Sequence, residues 1–279
     1  MKIIDFSIDA NEIEIVPLAD WHLGSAESDF ELIKETCDYI KNTPNCYCIL
    51  NGDLVDHITT TGRSPGSVFE ATMTPKEQVI TATYLLQDIC KMKKVISFTI
   101  GNHEARQTGD GLSPADLLLA KLMNYDETLN ERYSVEGAYI FLTLNARQKA
   151  NGSKATFTIF HQHGAGGGSR IGAKISRLDS MSEIVSADVF IRSHTHQVET
   201  HKGIYFAVNT NQKTVKEQPC LFVSTGSALK WGGYGAKAGM KPLSRAIPLI
   251  KLKADTREHH KKQWVEKRAD CIILDHLGD

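Results

Sequence analysis

Five times along this chain a short run of β-forming residues ends in a tight cluster of Asp, Asn and His. Asp20 and His22 follow the run 12–18, Asp53 and Asp56 follow 46–50, and Asn102 and His103 follow 95–100. His161 and His163 close the run 156–160, and His194 and His196 close 188–191. β-rich runs alternating with amphipathic helical segments argue an α/β chain whose sheets are covered by helices. Ligands in such folds bind beyond the carboxyl ends of strands, so five clusters of this kind can converge on one crevice.

Further strands are expected at 2–8, 139–144, 204–208, 221–224 and 247–252. Helix starts carry capping-box patterns: Ser28 with Glu31, Thr74-Pro75 with Glu77, and Ser113-Pro114 with Asp116. After the first of these, Phe30, Ile33, Cys37 and Ile40 recur at the spacing of one buried helix face. The polar stretch 145–154, with Asn151-Gly152 in it, reads as the turn of a hairpin. Without an internal repeat or a linker, residues 1–279 read as one domain, with 227–279 a basic C-terminal extension to its core.

Lys and Arg number 32 against 33 Asp and Glu, which excludes a globally basic nucleic-acid binder and a disordered acidic chain. Any polyanion site must be a local patch. The apolar runs fall short of the roughly 20 residues a membrane helix needs, and acids stand where a signal peptide needs apolar residues, so a cytoplasmic location is expected. The six cysteines are expected as reduced core thiols.

Chemically, the five clusters offer Asp, Asn and imidazole together, the nitrogen and oxygen mixture that suits divalent Mn, Fe, Zn or Ni rather than Ca or Mg. There are too many donors for one ion. A carboxylate shared between two ions about 3.5–4 Å apart would use them all and form the two-metal clamp of phosphoester chemistry.

The ordered set Asp20-x-His22, Gly52-Asp53-x-x-Asp56, Gly101-Asn102-His103-Glu104, His163-Gly164 and His194-x-His196 resembles the five-motif signature of calcineurin-like metallophosphoesterases. The resemblance runs from about residue 14 to about residue 226. It implies a four-layer sandwich of two mixed β-sheets flanked by α-helices. It also implies that Asp20, His22 and His196 bind one metal, that Asn102, His163 and His194 bind a second, and that Asp53 bridges them. His103 would face the substrate as the catalytic residue, with Asp56 orienting its ring. Two positions depart from the pattern or leave it open. Ser193 stands where the family has glycine, and His161 lies on the same side of its strand as His163. His163 is preferred as the ligand because Gly164 follows it, with His161 as a supporting partner.

The activity this implies is a dinuclear, metal-dependent phosphoesterase, Mn2+ being the first choice of ion and Fe, Zn or Ni the others. It would cleave a phosphodiester in DNA, RNA or a nucleotide by in-line attack of a metal-activated hydroxide. The alternatives are a phosphomonoesterase or protein phosphatase, and a nucleic-acid-binding subunit of a repair complex with secondary cleavage activity. Specificity is sought between the motifs. The loop Gly164 to Arg170 offers backbone amides to phosphate, and Arg170, Lys174 and Arg177 form a basic stripe at helical spacing. From 227 to 254 the chain carries Lys230, Lys237, Lys241, Arg245, Lys251 and Lys253 without an acid, with Trp231 and Tyr234 among glycines, as suits a phosphodiester strand. Segments 58–74 and 105–112 read as loops over the site. Arg106, Arg170, Lys230 and Tyr234 are the expected substrate contacts, and 255–279 reads as a surface or association element. No membrane partner is expected, and the oligomeric state is left open.

Overall fold

The computed structural model of the chain describes residues 1–58, 65–106, 113–144, 155–166, 170–237, 239–259 and 262–275. Its strands are β1 (Lys2–Ile8), β2 (Glu12–Leu18), β3 (Cys46–Asn51), β4 (Val95–Thr99), β5 (Tyr133–Ser134), β6 (Ala138–Leu144), β7 (Ala155–Gln162), β8 (Val189–Arg192), β9 (Val198–Asn209), β10 (Thr214–Thr225), β11 (Ile247–His259) and β12 (Lys262–Leu274). The helices are α1 (Phe30–Asn42), α2 (Pro75–Lys91), α3 (Pro114–Leu122), α4 (Ile171–Asp179) and the short α5 (Gly233–Lys237).

The strands form two mixed six-stranded sheets, in the orders β1-β6-β7-β8-β10-β9 and β12-β11-β2-β3-β4-β5. Period-two alternation decides which way each side chain goes. Ile15 and Ile49 of the second sheet face Ile140, Ile159, Ile191 and Val223 of the first, while Val16, Cys48 and Leu50 face outward onto Ile33, Ile40, Leu86 and Ile89 of α1 and α2. On the far side, Phe160, Phe190 and Phe222 of the first sheet pack on Leu178 of α4. The result is helix, sheet, sheet, helix, as the resemblance implied, and each fully buried aliphatic or Phe side chain contributes about 1.5–3 kcal/mol. All six cysteines are free thiols, five of them buried. Among the described residues no helix is long and apolar enough to cross a membrane.

Thr74 with Glu77 and Ser113 with Asp116 form the expected capping boxes, but Ser28 does not. Asp29 occupies the N-cap of α1 without a side-chain cap bond, because its carboxylate is taken by Arg245 and, at 3.4 Å, by Lys230. The Ser28 hydroxyl instead donates to the Trp21 carbonyl at 2.8 Å. At the other end of α1, the buried Lys94 ammonium donates to the carbonyls of Ile40, Lys41 and Thr43, satisfying groups the helix leaves open.

The C-terminal stretch 255–279, read as a surface or association element, holds the end of β11 and the edge strand β12. β12 pairs with β11 from Ile247↔Leu274 to His259↔Lys262, and β11 in turn pairs with β2. As an edge strand, β12 carries charged residues whose partners lie far off in sequence: Asp270 meets Lys202, and Lys267 meets Asp188 at 2.8 Å. β9 and β10 also run well past the expected 204–208 and 221–224, pairing from Val198↔Thr225 to Asn209↔Thr214. Strands β6 and β7 pair antiparallel, as the hairpin reading requires, while the turn 145–154 itself lies outside the described residues.

Candidate metal centre

All five polar clusters meet at one end of the sandwich. β2, β3 and β4 deliver theirs from the second sheet, and β7 and β8 from the first, each just past the strand's carboxyl end. The turns that carry them are conformationally costly. Asp20 (φ 51°), His22 (φ 46°), Asp53 (φ 55°), His194 (φ 72°) and His196 (φ 56°) all lie in the left-handed region that non-glycine residues avoid. Gly52 (φ 87°) and Gly101 are required beside them, since a Cβ on Gly101 would stand 2.0 Å from Asp53 Oδ1.

Three groups have ligand atoms mutually within 4.8 Å: Asp20, His22 and His196; Asp53, His163 and His194; and, between them, His22, Asp53 and His103. Asp53 Oδ2 stands 3.1 Å from His163 Nε2 and 3.9 Å from His22 Nε2, so one carboxylate faces both outer groups. Asp20 Oδ1 is 3.2 Å from His196 Nε2, and His22 Nε2 is 3.2 Å from the same His196 atom. Asp20 Oδ1, His163 Nε2 and His194 Nδ1 are buried without a hydrogen-bond partner. Buried lone pairs left open at the meeting point of two such groups are what a pair of cations requires, and the residues fit that role. Asn102 lies exposed on the turn between Gly101 and His103.

The two histidines of the fourth cluster separate cleanly. His161 is fully enclosed, with Nδ1 2.9 Å from Asn51 Oδ1 and Nε2 2.8 Å from Ser97 Oγ; burial pushes it down to about 3, so it is a neutral bridge between the sheets. His163 donates Nδ1–H to the Asn51 carbonyl at 2.7 Å, which fixes its tautomer and turns Nε2 toward Asp53. Burial opposes its charge, yet the Asp53 carboxylate 3.1 Å away and the charge of Asp20 lift it to about 9. Ser193 is accommodated without strain: its hydroxyl accepts from Asn51 Nδ2 and its amide donates to the His163 carbonyl at 3.1 Å.

Asp56 holds two rings, with Oδ1 3.2 Å from His103 Nδ1 and 3.3 Å from His22 Nδ1. Burial disfavours its charge, but these hydrogen bonds hold the carboxyl well below the usual range. The same pairing, against the opposing effect of burial, raises His103 above an ordinary imidazole. Nδ1 of His103 also lies against the Asp56 carbonyl, so it carries the proton. Arg106 donates from Nη1 to the carbonyls of Asp56 and His57 at 3.0 and 3.1 Å, with Nη2 3.0 Å from His103 Nε2.

One residue of the centre carried no role in the sequence reading. Glu104 is buried beneath the Asp53 turn and accepts from the amides of Asp53 (2.7 Å), Leu54, Val55 (3.1 Å) and Gly101 (3.0 Å). Burial and the adjacent Asp53 charge push it up to about 7, opposed by those amides. A Gln at this position replaces one acceptor by a donor facing backbone N–H groups. Glu104→Gln is therefore expected to cost about 2–4 kcal/mol in urea unfolding and to weaken metal binding, and unchanged stability would refute the bracing role.

The expected substrate contacts are placed less uniformly. Lys230 ion-pairs with Asp29, Lys237 with Glu70, Arg245 with Asp29, Lys251 with Glu14, and Lys253 with Glu12. The basic segment is therefore largely counter-charged by acids from elsewhere in the chain, rather than standing as a free positive patch. Lys174, from the basic stripe, donates to the Thr195 carbonyl at 2.8 Å. Arg170 is exposed at the start of α4. The side chain of Tyr234, residues 59–64 and 107–112 of the two loop segments, and 167–169 lie outside the described residues.

A four-layer sandwich with a His- and Asp-lined centre at the carboxyl ends of strands from both sheets defines a metal-binding hydrolase-type site. The chain belongs to the calcineurin-like phosphoesterase family, whose model matches residues 13–198. Family membership supports phosphoester hydrolysis, and the family is dinuclear and metal-dependent. Similar solved structures are vacuolar protein sorting 29 of Cryptosporidium parvum (13% identity, TM-score 0.39, covering 93% of this chain and 98% of that one) and a conserved Streptococcus pneumoniae protein described as a predicted phosphoesterase (12%, 0.35, 92% and 98%). No match to a curated protein is found.

Proposed function

We propose that this protein is a dinuclear phosphodiesterase acting on a nucleic acid or nucleotide, with Asp20, His22 and His196 holding one ion, Asn102, His163 and His194 the other, and Asp53 both. The observation that carries the reading is the position of Asp53, whose single carboxylate faces the two outer groups. When bound, two divalent transition-metal ions, Mn2+ by preference, supply an activated water and neutralise phosphoryl oxygens. The protein's own work is to hold donors in strained turns, exclude water beneath them, and present His103 toward the departing oxygen. His103 keeps Nδ1–H on Asp56 while Nε2 faces the Arg106 guanidinium at 3.0 Å, so Nε2 serves the leaving group as an acid only once it turns from that donor and takes up a proton.

A base-bearing diester is supported by Trp231. This side chain is 57% exposed and lies three residues beyond Ala228, whose amide donates to the Asp20 carbonyl at 3.1 Å. Its indole N–H is spent on the Met240 carbonyl, leaving the ring itself available for stacking. With Mn2+, kcat/KM on bis-p-nitrophenyl phosphate is expected to exceed that on p-nitrophenyl phosphate by about tenfold or more. A preference for the monoester would overturn the diester assignment.

A further inference from the structure

Beneath the ligand loops, one enclosed residue of the second sheet is hydrogen-bonded four times to the first. Asn51 closes β3, is fully buried, and immediately precedes Gly52 and Asp53. Its amide nitrogen donates to the Gln162 carbonyl at 3.1 Å and to Ser193 Oγ, and its Oδ1 lies 2.9 Å from His161 Nδ1. Its main-chain carbonyl accepts from His163 Nδ1 at 2.7 Å. These partners lie on, or just past, β7 and β8.

The direction of each bond is fixed by its partner. Gln162 presents a carbonyl oxygen, so the Asn51 nitrogen must face it and Oδ1 must face His161. His161 therefore carries its proton on Nδ1, and its Nε2 accepts from Ser97 Oγ at 2.8 Å. The reverse amide orientation would set two oxygens against each other in a buried site, which is costly.

Three of these bonds fall on His161, Gln162 and His163, and the fourth anchors Ser193, the neighbour of His194. Both imidazoles of the Asp53, His163 and His194 group are thus set against Asp53 by the residue two places before it. The Asp20, His22 and His196 group has supports of its own. The amides of Asp20 and His22 donate to the carbonyls of Gly52 and Asp53, both at 3.0 Å, and Lys174 holds the Thr195 carbonyl next to His196 at 2.8 Å. Glu104 braces the Asp53 turn from below.

We propose that Asn51 is a positioning residue for one of the two ion sites. By tying β7 and β8 to β3, it holds His163 and His194 at ligand spacing from Asp53, so that its loss weakens one ion and spares the other. The effect on ions rests on the dinuclear reading; the ordering of the imidazoles does not.

Two measurements on the full chain separate these layers. In the first, NMR of the chelator-treated protein follows the imidazole N–H protons. A slowly exchanging Nδ1–H on His163 is expected in the parent and fast exchange with water in Asn51→Ala, although the main-chain acceptor is retained. Equal protection in the two proteins overturns the positioning role. In the second, calorimetric titration with Mn2+ is expected to show one binding event of Asn51→Ala weakened about 10–100-fold and the other at its parental value. A His194→Ala background should abolish that difference, because the affected site is already broken. Leu142→Ala, in the buried core of β6, should lower stability without moving either event. Both events weakened alike in Asn51→Ala, or neither, overturns the selective role. A parent that binds a single ion overturns the dinuclear reading, while the imidazole exchange still decides whether Asn51 orders the rings. If Asn51→Ala does not fold, His161→Asn and His161→Leu decide: asparagine keeps an N–H for Asn51 Oδ1 and should retain both events, leucine removes it and should not, and equal Mn2+ binding by the two overturns the role.

Discussion

Asp53→Asn is expected to lower turnover on the order of 10³-fold or more and to reduce bound metal from two ions to one or fewer, with the fold intact. The side chain is enclosed, and its two oxygens have separate duties. Oδ1 accepts from the His103 amide at 2.8 Å, while Oδ2 faces His163 Nε2 and His22 Nε2. Asparagine preserves the shape and, with its oxygen in the Oδ1 position, the bond to His103. What it removes is the negative charge that two cations must share. The surrounding imidazoles already hold the Asp53 carboxyl far below its ordinary range even against burial, so the site is built around its ionised form. Elemental analysis alongside steady-state kinetics checks both halves of the expectation. Near-parental turnover with two ions bound would remove Asp53 from the bridging position.

The centre was legible in advance because its chemistry demands particular residue types at strand ends, and a cluster such as His194-x-His196 has no packing use that would scatter it elsewhere. Glu104 was not legible in the same sense. A single glutamate in a turn carries no periodicity, and its four amide donors come from residues 53–55 and 101, most of them some 50 positions away. The ion pairs of the basic segment were hidden for a related reason: Lys230 and Arg245 stand unopposed in the sequence only because Asp29, their shared partner, lies about 200 positions earlier. Ser28, with Glu31 three residues on, carries the capping-box pattern, while Asp29 is only an N-cap residue type followed by Leu32, and the tertiary demand on each side chain decides between them. The ribbon strands were read short because the halves that were missed are polar, Glu199 to Lys202 in β9 and Lys216 to Gln218 in β10, so that no apolar alternation marks them as strand.

His103→Ala is expected to separate chemistry from metal binding: turnover falls about 10²–10⁴-fold while both ions remain. The ring lies at the edge of the ligand groups, with Nδ1 on Asp56 and Nε2 beside Arg106, so its removal leaves every proposed ligand in place. The loss depends on the leaving group. A p-nitrophenolate departs with little need of a proton, whereas a nucleoside or alkyl oxygen needs one, so the penalty on a nucleotide diester should exceed that on bis-p-nitrophenyl phosphate. pH supplies an independent check. Asp56 and Asp53 raise His103 above the ordinary imidazole value despite burial, so its protonated form persists to higher pH. Parental turnover on the nucleotide diester should decline as pH rises through that raised value, and this alkaline limb should vanish in His103→Ala. An equal penalty on both substrates, with the limb retained, would mean that His103 only positions its neighbours and that the proton reaches the leaving oxygen from elsewhere.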